Sequence, residues 1–344
     1  MLYLCTMERY LCFIIAGIVA LLLVPVQVMP KDSLLLFERL FDGGGWVQII
    51  LVSGYAFILS KKMLPRESRS LWRNRSWTLF TIIFYGQLVL GLIADSVFLM
   101  TGNLHLPIPA VIIAGPLYRF SSWFMPILFL STIFLAGPAW CSHLCYFGAL
   151  DSVAARGVKS SSGVKLKGGV ARRLFRDWMW KNKPTLRLIV LIVVVLVALA
   201  LRLLNGSPGV GLLVAILFLA VGIMIILLIS KKQGVMVHCT IWCPVGTLVN
   251  YLKYISPFRF VVKRSDCTSC MKCLPACNYA AMSRDKSGNL IIGNGCTYCG
   301  DCLMACPHNA LEYRFLVLNG KTAEKLWIAV TIILHTLFLS IARV

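Results

Sequence analysis

The sequence predicts a mostly helical membrane protein that carries a small α+β domain near its C-terminal end. Of its 344 residues, 59% are hydrophobic, a larger share than in typical soluble domains. Long apolar stretches recur along the chain, and two short segments after residue 260 are rich in cysteine. These observations indicate a membrane bundle joined to a cysteine-rich domain.

A membrane-spanning helix needs about 20 mostly apolar residues. Seven stretches meet or approach that length, at about 10 to 29, 46 to 60, 77 to 100, 121 to 139, 185 to 204, 209 to 229 and 326 to 342. The first is expected to be an uncleaved anchor, since no small-residue cleavage site follows it. The apolar segment 106 to 117 is too short to cross and is predicted to be re-entrant or interfacial.

Basic residues concentrate in alternate loops. Residues 61 to 75 contain six basic residues and one acid, residues 156 to 187 contain ten and one, and residues 253 to 325 contain ten and five. The loops between them, 30 to 45, 101 to 120 and 205 to 208, together contain three basic and three acidic residues. By the positive-inside rule, the N-terminus and the cysteine-rich segment face the inside and the C-terminus faces the outside.

The segment from Cys267 to Cys306 contains the spacing C-x2-C-x2-C-x3-C twice. In bacterial two-cluster ferredoxins such runs hold two [4Fe-4S] clusters, and the fourth cysteine of each run ligates the other cluster. The alternatives are a zinc site, which typically uses paired knuckles, and a disulfide knot. The crossed rule assigns Cys267, Cys270, Cys273 and Cys306 to cluster I, and Cys296, Cys299, Cys302 and Cys277 to cluster II. We expect the small residues Gly300 and Ala305 to help the second loop close.

An internal repeat is also predicted. The motif Trp-Arg-Asn-Arg at 72 to 75 precedes the third span, and Trp-Lys-Asn-Lys at 180 to 183 precedes the fifth. Each is followed by two spans and a C-x3-C pair, Cys141 and Cys145 in the first copy and Cys239 and Cys243 in the second. Two successive two-span hairpins enter from one side, so both pairs should lie on the same face as the clusters.

The four C-x3-C thiols have three interpretations. On an α-helix, residues four apart share a face, so the two thiols of each pair could bind the same metal or cofactor. Four converging thiolates could hold an additional iron–sulfur centre or a soft metal such as Cu(I). The alternatives are a redox-active dithiol and simple packing at helix ends.

Four further residues are candidates for a quinone site. His143 and His238 flank the cysteine pairs and could support the thiols or carry protons, although histidines at helix ends also meet the membrane interface. Asp95 and Arg202 occupy corresponding positions late in the third and fifth spans. They could pair with each other or flank a quinone headgroup, or they could snorkel to the interface.

These motifs divide the chain into four predicted segments: a two-helix anchor at 1–71, a tandem membrane repeat at 72–252 with copies 72–155 and 180–252, a two-cluster ferredoxin domain at 253–320, and a last membrane helix at 321–344. The predicted fold is thus an all-α membrane bundle of about seven helices, with a tandem two-helix repeat, plus a small α+β ferredoxin domain.

The combination of membrane C-x3-C motifs with two ferredoxin runs resembles the NapH/NosR family of membrane polyferredoxins. The second pair fits the family's C-x3-C-P motif with Cys239, Cys243 and Pro244, whereas the first has Tyr146 where the family has proline. The resemblance implies a multi-pass protein of the bacterial inner membrane that oxidises quinol as a component of a respiratory complex.

Three functions follow as expectations. The first is membrane electron transfer, in which two [4Fe-4S] clusters connect the quinone pool, or a cytoplasmic donor, with a partner reductase. The second is copper or iron handling, or oxidoreductase assembly, at the C-x3-C pairs. The third is a structural anchor whose clusters only stabilise the fold. Other redox subunits and an acidic soluble electron carrier are expected partners, and nucleic acid is not.

Overall fold

The computed structural model describes residues 2–28, 34–99, 108–120, 123–159 and 177–341. They form two compact units, each built from separated stretches of the chain. The first unit comprises Met1–Leu106, Phe258–Asp266 and Leu303–Val344, and the second comprises Pro107–Pro257 and Cys267–Cys302. The four-segment division made from the sequence stays a prediction.

The first unit combines apolar helices with a small antiparallel sheet. Its helices are α1 (Leu2–Val28), α2 (Leu36–Leu40), α3 (Gly44–Met63), α4 (Arg66–Ile93) and, at the end of the chain, α12 (Gly320–Ile341). Its sheet has the order β1 (Phe258–Val262), β4 (Leu311–Phe315) and β5 (Leu318–Asn319).

The second unit contains the remaining helices and one hairpin. The helices are α5 (Val111–Arg119), α6 (Phe124–Ala136), α7 (Tyr146–Lys159), α8 (Lys183–Leu203), α9 (Pro208–Met224), α10 (Lys231–Gln233) and α11 (Pro244–Leu252). The hairpin pairs β2 (Met282–Arg284) with β3 (Leu290–Ile292). The protein is therefore mostly helical, with short strands in and around the cysteine-rich segment.

Among the described residues, seven helical stretches are long and apolar enough to cross a membrane, which is compatible with a multi-pass membrane protein. They are Glu8–Val28, Gly44–Met63, Arg66–Ile93, Met125–Leu144, Lys183–Leu203, Pro208–Gln233 and Gly320–Ile341. The third begins earlier than the predicted 77, because the polar stretch after Pro65 is also helical. The expected short segment forms α5, which at nine residues is too short to span. The tandem repeat stays a prediction.

Aromatic stacking and a buried ion pair attach α12 to the rest of the first unit. The ring of Tyr313 on β4 stacks on Trp327 of α12 with centroids 4.9 Å apart, and both residues are fully buried. One turn earlier, Glu324 accepts hydrogen bonds from Arg66 and Arg69, with 2.6 Å between Arg69 Nη1 and Glu324 Oε1. Since Arg69 and Glu324 are both buried, each needs the other to offset its lost hydration.

In the second unit, α6 ends where the chain must turn toward the cysteine-rich loops. Gly137 follows the helix with φ of +59° and ψ of −130°, a conformation that side chains with a Cβ rarely adopt. A Cβ at this position would lie 3.4 Å from the ring of Tyr298. Glycine therefore both permits the turn and lets the helix end approach the loop that carries Cys296 and Cys299.

We predict that Glu324→Gln strongly destabilises the protein. The variant keeps the volume of the side chain but leaves Arg69 buried without its counter-charge, which should cost about 3 to 5 kcal/mol. The measurement is the midpoint of equilibrium unfolding in mixed micelles with increasing SDS.

Glu312→Gln is the matched control, because Glu312 pairs with the exposed Arg314 in the same unit. Its effect should be about 1 kcal/mol or less. Equal stability of the two variants would contradict the structural role assigned to Glu324.

Candidate functional site

The two cysteine runs fold into loops with the same backbone conformation. The second run begins 29 residues after the first, at Cys296 instead of Cys267. Left-handed residues recur at that offset: Ser269 and Tyr298 (φ 53° and 57°), Met271 and Gly300 (60° and 79°), and Ala280 and Asn309 (44° and 51°). The expected use of Gly300 in the tight loop is consistent with its positive φ. The other five positions are strained for residues with a Cβ, which indicates that cysteine placement dictates the loop shape.

Backbone N–H groups point at the fourth cysteine of each run. The amide of Ala281 donates to Cys277 Sγ and that of Ala310 donates to Cys306 Sγ, both at 3.3 Å. Such bonds stabilise negative charge on sulfur and are among the features that tune iron–sulfur ligands. All eight cysteines are free thiols, so the disulfide alternative finds no support. The residues present therefore fit two [4Fe-4S] clusters.

Seven of the eight cysteines lie in the second unit, and Cys306 lies in the first. All four expected ligands of cluster II thus belong to one unit, while the crossed set of cluster I stays a prediction. The cysteines of the two runs also differ in solvent exposure. Cys270 is exposed, whereas Cys273, Cys296 and Cys302 are buried. The thiol of Cys270 has a lowered pKa, since the backbone N–H of Lys272 stabilises its charged form.

The two C-x3-C segments also share one local fold, but it is not the α-helix that the spacing suggested. Trp140–Leu144 and His238–Trp242 each form a π-turn, closed by a 2.9 Å bond from Cys145 N to Trp140 O and from Cys243 N to His238 O. The second cysteine of each pair is then extended, with φ and ψ of −79° and 116° at Cys145 and of −74° and 115° at Cys243. Tyr146, in place of proline, leaves this backbone unchanged.

Each second cysteine stands at the start of a helix. Cys145 precedes α7 and Cys243 precedes α11. The amide of Gly246 donates to Cys243 Sγ at 3.4 Å, and the amides of Gly148 and Phe147 are directed at Cys145. Helix N-termini stabilise anionic ligands and thiolates. For both thiols, these amides partly offset the burial that disfavours the charged form and raises the pKa.

Cys141, Cys145, Cys239 and Cys243 form one group, which we term the cysteine quartet. Cys141 packs against the hydrophobic cluster that contains Cys243. Burial, followed by the nearby Cys243 thiol, raises the pKa of Cys145 to about 12. Burial also raises the pKa of Cys239, with Asp151 and the other three thiols contributing. The structure thus brings the two predicted pairs together.

Two charged residues that the sequence reasoning missed border the quartet. Arg187 is 8% exposed, and its Nη2 donates to Gly246 O at 2.7 Å. Asp151 is fully buried, and its Oδ2 accepts a 2.9 Å bond from the amide of Cys239. Burial raises the pKa of Asp151 to about 6. The available signal for Arg187 was its charge inside an apolar span; nothing in the sequence singled out Asp151.

Hydrogen bonds join the quartet to the cysteine-rich loops within the second unit. Tyr279 Oη donates to Cys141 O at 2.7 Å, and Ser142 Oγ donates to Thr297 O at 3.2 Å. Lys253, which is 3% exposed, donates through Nζ to Cys296 O at 3.1 Å. The loops that carry the expected cluster II ligands therefore contact the segment that carries the first C-x3-C pair.

The remaining candidates have local partners. His143 Nδ1 lies 2.8 Å from Ser142 Oγ, and His238 stacks on Phe147 with centroids 5.5 Å apart. Burial lowers the pKa of His238 to about 4, so its ring is neutral at physiological pH. His238 and Cys243 line a cavity of about 10 Å³, which has room for about one water molecule.

Asp95 and Arg202 belong to different units and are both exposed. The carboxylate of Asp95 accepts a hydrogen bond from the amide of Val97 at 2.8 Å. The guanidinium of Arg202 lies over the ring of Phe120, 4.4 Å from its centroid. Their pairing, or a role beside a quinone, stays a prediction.

Two segments match known protein families. The family model for a 4Fe-4S dicluster domain matches residues 266–311, and that for a 4Fe-4S binding domain matches residues 118–165. The chain contains two 4Fe-4S ferredoxin-type domains. The first covers all eight cysteines of the two runs, and the second covers Cys141 and Cys145. No curated protein and no solved structure matches the chain.

We predict that paired cysteine substitutions distinguish crossed from uncrossed ligation. Cys277→Ser with Cys296→Ser removes two ligands of one cluster, so the dicluster segment should keep about four irons. Cys277→Ser with Cys267→Ser removes one ligand from each cluster and should lower the iron content further. The measurement is the iron content of each double variant after anaerobic purification. A lower iron content in Cys277→Ser with Cys296→Ser than in Cys277→Ser with Cys267→Ser would show uncrossed ligation.

Proposed function

We propose that this protein is a membrane-bound iron–sulfur electron-transfer subunit. In this role it connects the membrane quinone pool, or a cytoplasmic donor, with a partner reductase through two [4Fe-4S] clusters. The observation that carries the proposal is the direct contact, within one unit, between the cluster-binding loops and the ends of apolar helices. A redox group held at such a place is within reach of both membrane-soluble and aqueous carriers.

The [4Fe-4S] clusters supply one-electron chemistry, and the protein sets their position and potential. The chain's own residues contribute through the sulfur-directed amides of Ala281 and Ala310 and through burial of Cys273, Cys296 and Cys302. Lys253 Nζ donates hydrogen bonds to Asn294 O and Cys296 O, and these bonds hold the loop that begins at Asn294. These contacts keep the cluster II loop fixed against the helix ends.

We place the protein in the bacterial inner membrane, with its N-terminus and clusters on the cytoplasmic side. The alternating excess of lysine and arginine in the loops supports this orientation. In this arrangement, the protein acts as the quinol-oxidising component of a respiratory complex, as the resemblance to NapH/NosR-type proteins implies. Other subunits would carry electrons across the core of about 30 Å to an outer acceptor.

An acidic soluble carrier is the proposed partner on the aqueous side. Cys270 is exposed, and the exposed basic residues Lys272, Arg284 and Lys286 belong to the same unit. Exposed positive charge on the unit that also presents an exposed cysteine favours the encounter with an acidic protein. Cluster I, to which Cys270 is assigned, would therefore be the group closest to such a carrier.

Copper or iron handling is less well supported. Within the described ranges, no three His, Cys, Asp or Glu side chains are grouped for a single metal ion. Such a group would favour one ion held by three or more ligands, whereas a cluster spreads its ligands over several irons. The match of residues 266–311 to a dicluster domain is what favours electron transfer over delivery of single ions.

The test is reduction of the clusters by a short-chain quinol. Full-length protein, purified anaerobically in detergent, should contain about eight irons in its dicluster segment and show cluster EPR signals after quinol addition. One quinol releases two electrons and two protons, enough to reduce two clusters by one electron each. Alone, the chain should transfer these electrons slowly to an outer-face acceptor.

Cys296→Ser should lose the cluster II signal, while Cys12→Ser, which alters a buried cysteine outside the motifs, should behave like the parent protein. The proposal is overturned if dithionite reduces the clusters but neither a quinol nor a reduced acidic carrier does. The presence of zinc in place of iron in the purified protein would also overturn the proposal.

A further inference from the structure

Arg187 is a buried cation. Within the part of the chain that the structure describes, it forms no ion pair, and its Nε has no hydrogen-bond partner. A buried guanidinium loses much of its hydration, and such a loss is normally offset by a carboxylate or another anion. Among the described residues, Arg187 therefore has no carboxylate in ion-pair contact, and Asp151, which also borders the quartet, bonds the amide of Cys239 instead.

The guanidinium is directed at the cysteine quartet. Its Nη2 bonds Gly246 O, and the amide of the same glycine points at Cys243 Sγ. Cys141, Cys239 and Cys243 all lie within electrostatic range of Arg187. The negative group that Arg187 needs would thus be located between these sulfur atoms.

The form of the quartet restricts what it can hold. Its four thiols are free, and among the described residues no three His, Cys, Asp or Glu side chains are grouped around one metal ion. Amides are directed at both Cys145 and Cys243 from helix N-termini. The match to a 4Fe-4S binding domain covers the first pair, and the second pair has the same backbone. A multi-iron group with four sulfur ligands satisfies all these conditions.

We propose that Cys141, Cys145, Cys239 and Cys243 hold a third iron–sulfur cluster, of the [4Fe-4S] class, and that Arg187 stabilises its negative charge. This inference rests on the proposed electron-transfer function. Four thiolates give such a cluster a net negative charge, and reduction adds one electron without forming or breaking a bond. Arg187 would therefore favour the reduced form and act as a positioning and tuning residue.

Lys183 lies one turn before Arg187 on α8. It is close to a cysteine assigned to cluster II, as Arg187 is close to the quartet. Its Nζ donates to Tyr279 O at 3.0 Å and lies within electrostatic range of Cys277. A Cβ added to Gly295 would lie 3.3 Å from Lys183 Nζ and 3.7 Å from Arg187 Nη1. The two cations thus stand side by side, with Lys183 nearer the cluster II cysteines and Arg187 nearer the quartet.

Iron analysis tests the third cluster directly. The intact protein should contain about twelve irons, and Cys141→Ser with Cys243→Ser should lose about four of them while keeping the dicluster EPR signals. About eight irons in the intact protein, unchanged in the double variant, would overturn the third cluster and leave the proposed function standing. Absence of the dicluster signals themselves would instead overturn the proposed function.

Potentiometric EPR tests the role of Arg187. Arg187→Gln should shift the third signal to a more negative potential, and Arg187→Lys should restore part of that shift. Lys183→Gln should shift the cluster II signal instead, and Arg202→Gln, at the far end of the same helix, should shift neither. If Arg187→Gln and Arg187→Lys both keep twelve irons and the parent potentials, Arg187 has no tuning role. Loss of only the third signal in Arg187→Gln, recovered in Arg187→Lys, would support it.

Discussion

The contact between the cysteine-rich loops and the ends of apolar helices is the constraint on which the second unit depends. Tyr279 bonds the carbonyl of Cys141 across 138 residues of sequence, and Ser142 bonds the carbonyl of Thr297 across 155. Such long-range bonds fix two chemically different parts of the chain, one apolar and one rich in sulfur, in a single compact unit. The positions of the Cys296–Cys302 loop and of the first C-x3-C pair both depend on this junction.

Several features of the molecule serve this junction. Gly137 ends α6 with a backbone conformation that side chains disfavour, and the missing Cβ leaves space for Tyr298. The π-turns then place Cys145 and Cys243 at helix N-termini instead of on a helix face. Arg187 and Lys253 bring positive charge to the buried region where the thiols of the quartet lie. Backbone strain and buried charge, both costly, are concentrated where cofactors would be bound.

The sequence predicted the parts of the site that depend on local spacing. Eight cysteines at ferredoxin spacing indicated the dicluster segment, and the seven apolar stretches correspond to seven helices of sufficient length. The α-helical geometry of C-x3-C was wrong, because a spacing of four cannot distinguish an α-turn from a π-turn that ends in an extended residue. Asp151 and Arg187 were missed for a different reason. Their partners, Cys239 and Gly246, lie 88 and 59 residues away, and no local pattern encodes such contacts.

The central claim is that the cysteines next to the apolar helices hold iron–sulfur clusters. Its most direct test is the analysis of iron and acid-labile sulfide in full-length protein extracted anaerobically from membranes. We expect iron and sulfide in nearly equal amounts, with about eight of each lost when the cysteines of the two runs are replaced by serine. Zinc without sulfide, or cystine bridges within residues 267 to 306, would contradict it.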